Sequence, residues 1–166
     1  MTAKDSEAPP ASATYSSPPI VILAQYLKDL SFESPNSPAI LNDAFDVRQG
    51  RVGIDLRVTP QNPPMFEVAV KLRVESSHES KAAYILDMEY AAMVRIGDVP
   101  DDKIEPLLMV EAPRLMFPFL RALVSTMTRE GGFPPLMISP IDFYALYRDH
   151  KRKTAASQSE FAGKAG

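Results

Sequence analysis

The middle of the chain alternates apolar and polar residues with period two. Val52, Ile54, Leu56 and Val58 fall on one side of an extended chain, and Arg51, Asp55 and Arg57 on the other. Phe66, Val68, Val70, Leu72 and Val74 alternate in the same way with Glu67, Lys71, Arg73 and Glu75. Such alternation predicts strands with one dry and one wet face. The stretches TPQNPP at Thr59–Pro64 and SSHESK at Ser76–Lys81 predict the turns between them. Three strands should therefore run as an antiparallel meander, the third from Ala82 to about Ile96. This third strand differs from the others. Tyr84, Leu86, Met88, Tyr90 and Ala92 mark one face, and Ile85, Asp87, Glu89, Ala91 and Met93 the other. Apolar groups on both faces suggest that both are covered, one by helices and one by another subunit. For Ile20–Phe32 periodicity alone fits helix or strand. The β-branched start and Pro19 before it favour a strand, which the SPNSP at Ser34–Pro38 ends.

After Gly97 the period changes to 3.6. Asp101 or Asp102 is placed to cap a short helix running to about Met109, and Pro113 suits the first turn of a longer one. On the longer helix Met116, Phe119, Leu120, Leu123 and Met127 form a broad apolar stripe, widened by Leu115, Ala122 and Val124. Pro118 should kink it, and Gly131 with Gly132 should end it. A last helix is expected from about Ile141 to Arg148, opened by Ser139-Pro140. Strands followed by helices predict an α+β fold, with helices on one side of a four-stranded antiparallel sheet. The folded unit is expected at residues 19–149. It lies between a polar, Pro-rich arm at 1–18, read as disordered, and a polar tail at 150–166, read as flexible. Within the folded unit, Phe117–Tyr147 joins a helix with almost no charged face to a Pro-punctuated apolar linker. That is more apolar sequence than a closed monomer requires. It suggests a surface for copies of the same chain, for another chain, or for both.

Composition narrows the chemistry. In 166 residues with a formal net charge of -3 there is no cysteine and there are only two histidines, His78 and His150. This excludes a disulfide framework, a thiol nucleophile and a Cys/His zinc site, and the charge argues against nucleic acid as the main partner. There is no secretory signal pattern and no run of the length of a membrane span. The sequence offers no nucleophile elbow, no HExxH and no Gly-rich phosphate loop, so no enzymatic activity and no cofactor is expected. His78 reads as a turn residue, and Asp101-Asp102 as a helix start. His150–Lys153 reads as a solvated tail. Asp87 and Glu89, two apart on one strand face, have the spacing to hold a cation or share a proton. Without a third ligand they read instead as an acidic strip facing solvent or a partner. Met88, Met93, Met109, Met116, Met127 and Met137 supply soft side chains suited either to filling a core or to a promiscuous binding surface.

Two blocks carry a family resemblance. YLKDLSFESPNSP at Tyr26–Pro38 resembles the start of the SecB protein-export chaperones. Ala112-Pro113, Phe117-Pro118-Phe119, the helix that follows and GGFPPLMISPIDFYALY from Gly131 resemble that family's C-terminal half in order and spacing. The resemblance implies an ATP-independent, cytosolic holdase that keeps precursor proteins unfolded and passes them to the SecA motor ATPase. It implies a tetramer, a dimer of dimers, with Met116, Phe119, Leu120, Leu123 and Met127 in the subunit interface. By position, the SecA contacts of the family fall on Asp29, Glu33, Ile85 and Asp87. The client groove, between linker and sheet, falls on Phe45, Tyr84, Phe133, Pro134, Leu136 and Met137. No cofactor is implied, since the zinc of the SecA contact belongs to SecA. Leu86 and Ala91-Ala92 stand where members of the family often carry a Cys and a Gly-Gly pair, a change that bears on the strength of the subunit contact. Two other readings stay open: a SecB-like chaperone dedicated to one client such as an antitoxin, and a small-molecule-binding or enzymatic α+β domain.

Overall fold

The computed structural model describes residues 18–42 and 50–163, with side chains to residue 153. Strands β1 (Ile20–Glu33), β2 (Gly50–Pro60), β3 (Met65–His78) and β4 (Lys81–Ile96) form one antiparallel sheet in the order β1-β4-β3-β2. The first strand thus leaves the meander to β2 and returns alongside β4, a Greek-key order. β1 bears two bulges, between Ile22 and Ala24 and between Leu27 and Asp29.

Register explains why the alternation sorts so well. Val70 lies opposite Leu56 and Tyr90, and Leu72 opposite Ile54 and Met88. Val74 lies opposite Val52 and Leu86. All the apolar partners therefore share one face, and a slip of one residue would turn the whole set to water. The turn predicted at Ser76–Lys81 is tighter than the sequence suggested. β3 and β4 pair to His78 and Lys81, and only Glu79 and Ser80 turn the chain, both with positive φ (46° and 68°). Two positive φ values give the primed turn whose twist matches the strands. Polar composition alone does not distinguish that from a longer loop.

Beyond Pro100 the chain runs as helix α1 (Asp101–Pro106), a π turn (Leu107–Glu111) and helix α2 (Ala112–Glu130) without a break. The short and long helices predicted from sequence are thus joined. The Ala112 N–H bonds the Leu107 carbonyl five residues back, so the ladder is already out of step where Pro113 lacks a donor. Asp101 and Asp102 make no side-chain cap, and Pro100 holds the N-cap position instead. The two carboxylates lie in the first turn, where the helix dipole favours them.

α2 lays every fourth residue on the sheet. Ala112, Met116, Leu120, Val124 and Thr128 are all fully buried, the i+4 row that sits as a ridge on its neighbour. Across from them lie Val68 to Val74 of β3 and Leu86 to Val94 of β4, one continuous core. α3 (Phe143–Gly163) does not pack directly over the sheet. Phe143 and Tyr147 form a second cluster with Val110 of the π turn, bordered by Leu56, Met109 and Phe117. Asp142 caps α3 by accepting the Ala145 N–H at 2.9 Å, later than the predicted start. The helix then continues through residues the sequence assigned to a polar tail.

Candidate functional site

Three surfaces follow from this layout: the linker that returns over the sheet, the open side of α2, and the face of the sheet turned away from the helices.

The linker leaves α2 through two glycines with different duties. At Gly131 a Cβ would fall 2.3 Å from the Phe32 ring, so only hydrogen fits there. Gly132 adopts φ +86°, which side chains disfavour. Phe133 then drops into an aromatic cluster. Its ring lies 4.9 Å from Tyr84, which stacks on Phe32 at 5.5 Å. Tyr84 and Phe133 are buried in the core, so these two predicted groove residues anchor the linker rather than stand as open walls. Burial also pushes the Tyr84 hydroxyl above the usual tyrosine range. Thr128 anchors the next step. Its buried hydroxyl donates to the Val124 carbonyl at 3.0 Å and accepts the Leu136 N–H at 2.9 Å, while its carbonyl accepts the Phe133 N–H at 3.1 Å. Sequence reasoning missed Thr128. The available signal was a hydroxyl ending an otherwise apolar i+4 row.

Past this anchor the linker faces β2 across an open groove of about 640 Å3, lined on one side by Val52 and Ile54 and on the other by Leu136, Met137, Ile138 and Ile141. Met137 is 58% exposed, Leu136 half-buried, and Pro134 exposed at the linker's outer surface. Among the described residues β2 is an edge strand of the sheet, so the groove runs beside a row of backbone donors and acceptors that no other described strand pairs. Phe45 lies outside the described residues.

On α2 the predicted interface stripe divides. Met116 and Leu120 are fully buried against the sheet of their own protomer, which leaves them nothing to offer a second subunit. Phe119 is 52% exposed, and Leu123 and Met127 are half-buried. Leu115 is exposed beside Phe119, as are Leu23 and Leu27 on the edge strand β1.

The outer face of the sheet is a lattice of charges in ladder rows. Glu33, Ile85 and Glu75 form one row across β1, β4 and β3. Ser31, Asp87 and Arg73 form the next, and Asp29, Glu89 and Lys71 the third. The four positions aligned with a SecA contact, Asp29, Glu33, Ile85 and Asp87, are therefore gathered on one face. Among the described residues Asp29 and Glu33 make no ion pair. Asp87 pairs with Arg73, which also donates to Glu75 at 2.7 Å. Glu89 is held by Arg57 at 2.5 Å and by Lys28 at 3.5 Å. It is thus tied into an ion-pair network and, among the described residues, belongs to no cluster of carboxylates and histidines suited to a metal. Below it Lys28 and the Tyr26 hydroxyl both donate to Glu67, at 2.8 and 2.5 Å, and hold its carboxyl below the usual range.

No helix among the described residues is long and apolar enough to cross a membrane. The model of the preprotein translocase subunit SecB family matches residues 13–154. A protein-export protein SecB of Rhodospirillum rubrum is 42% identical over 144 residues, covering 87% of this chain and 88% of that protein. One from Nitrobacter winogradskyi is 42% identical over 152 residues, covering 92% and 94%. One from Rhodopseudomonas palustris is 43% identical over 152 residues, covering 90% of each. Among solved structures, a SecB-like chaperone of Mycobacterium tuberculosis in complex with a peptide from an antitoxin has the same fold. The TM-score is 0.59 at 14% identity, over 74% of this chain and 90% of that one. The chain belongs to the SecB family of protein-export chaperones.

Proposed function

We propose that this chain holds unfolded precursor proteins in the groove between the linker and β2 and delivers them, in the cytoplasm, to the SecA ATPase through the outer face of the sheet. The single observation that carries the client half is the groove itself. Soft apolar walls, Leu136, Met137, Val52 and Ile54, stand beside a strand edge that no other strand pairs among the described residues. An extended segment can add its backbone to β2 and lay alternate side chains into the groove, whatever their identity. Each Å2 of apolar surface buried contributes roughly 25 cal/mol. The buried Tyr84 and Phe133 fix the linker's course, and Met137 and Leu136 meet the client.

The partner half rests on the placement of Asp29, Glu33, Ile85 and Asp87 on one face, where Asp29 and Glu33 make no ion pair among the described residues. Such a strip suits a basic module and governs its on-rate and salt sensitivity. The exposed apolar groups on α2 and β1 suit a contact between copies, and we assign them to a homotetramer in which several grooves serve one long client.

The test combines two assays on the purified full chain. It should suppress aggregation of several unrelated unfolded proteins without ATP at stoichiometric amounts. Protection of only one client would favour a dedicated chaperone, and none would end the holdase reading. Asp29→Lys with Glu33→Lys should weaken SecA binding at least several-fold and leave client holding intact. Loss of both together would mean that the docking face is elsewhere.

A further inference from the structure

The outer face carries a feature that its acidic strip does not explain. Arg73 lies directly opposite Asp87 in the β3–β4 ladder, so their ion pair is set by register and not by a chance rotamer. Its guanidinium spans two rows, binding Asp87 in its own row and Glu75 in the next. The Glu33 charge also acts on it, after Glu75 and Asp87. Of the other cations of this face, Lys28 and Arg57 hold Glu67 and Glu89, while Lys71 lies opposite Glu89 and Arg51 opposite Glu75. Arg73 is therefore the basic group ion-paired with a carboxylate of the strip where a basic partner would dock. Half of its side chain and a quarter of Asp87's remain exposed, so a partner's lysine or arginine competes with Arg73 for the same carboxylate.

We infer that Arg73 is an internal competitor of the docking partner, a tethered guanidinium that occupies Asp87 until the partner replaces it and so limits affinity for the basic module. This rests on the reading of the outer face as the partner-docking surface. Exposed ion pairs are weak and easily exchanged, so the competition lowers affinity without blocking it. It also favours partners with several cations over single stray ones, since one lysine gains little by exchanging with Arg73.

The experiment measures equilibrium binding of purified SecA to the intact protein at low and at near-physiological ionic strength. Arg73→Gln should tighten binding by about two- to fivefold at low salt, and the gain should shrink as salt screens it. Arg73→Lys, which keeps the charge, should stay closer to the parent. In an Asp87→Asn background Arg73→Gln should give a smaller gain, because the carboxylate it frees is gone. Aggregation suppression by each variant confirms that the fold is intact. Unchanged binding by Arg73→Gln would overturn the inference, and weaker binding would overturn it and show instead that Arg73 orients Asp87 for its partner. If Asp29→Lys with Glu33→Lys also left binding unchanged, or the parent chain did not bind SecA, the docking face itself would be misplaced.

Discussion

Leu120 and Phe119 are neighbours on α2, both apolar, and they belong to different surfaces. Leu120 is fully buried in the row that presses on the sheet, whereas Phe119 is half exposed beside Leu115. The first side of the helix is closed by its own protomer, and the second is left open among the described residues. The difference teaches that one apolar helix can hold the fold together with one side while the other side stays available for contact. Hydrophobicity is shared between the two sides, so only packing separates them.

The comparison is most sharply tested in the closed row. Leu120→Ala removes a side chain with no exposed area and leaves a cavity against β3 and β4. It should cost about 2–5 kcal/mol of stability. Chemical denaturation of both proteins, at matched concentration because assembly adds to apparent stability, gives the number. A loss under about 1 kcal/mol would mean that the row is loosely packed and that the two sides of the helix are less distinct than their burial implies.

Thr128 ends the closed row and ties it to the linker. Thr128→Val keeps the shape and removes the hydroxyl that accepts the Leu136 N–H. Leaving that amide without its partner should cost about 1–3 kcal/mol. The more telling readout is hydrogen exchange. The Leu136 amide should lose protection while amides in the strand interiors keep theirs. Aggregation suppression should fall as the linker side of the groove loosens. Protection lost evenly across the whole protein would show a core defect and no specific tie between helix and linker.

Alternation in the strands was legible because each strand has one face on a core and one on water, and the outer face keeps its charge. The antiparallel meander of β2, β3 and β4 follows from that pattern, β1 was read from its β-branched start and Pro19, and Asp29, Glu33, Ile85 and Asp87 were picked out by the family resemblance. The helix was less legible for the opposite reason. With Leu115, Met116, Phe119, Leu120 and Leu123 all apolar, no polar side marks which residues point inward, so Met116 and Leu120 read as partners for another subunit. Phe133 posed the same difficulty. An aromatic beside two prolines fits an open groove or a buried anchor equally well, and its contacts with Phe32 and Tyr84, a hundred and about fifty positions back along the chain, decide it. The π turn was hidden by Pro113, which read as the start of a separate helix because a proline's cost depends on a ladder whose register the sequence does not display.

The open side of α2 gives the smallest effect on the fold and the finest test of the contrast. Phe119 is half exposed, so Phe119→Lys should leave secondary structure by circular dichroism unchanged and shift intrinsic protomer stability by no more than about 0.5 kcal/mol. Its effect should fall on association. A lysine ammonium placed within an apolar contact between copies must be desolvated without a partner. Light scattering at micromolar concentration should then give a smaller mass for the variant than for the parent protein, which is expected at four copies. A parent already monomeric would remove the assembly from the account. An unchanged tetramer in the variant would move the subunit contact away from Phe119, with Leu23 and Leu27 on β1 the next side chains to test.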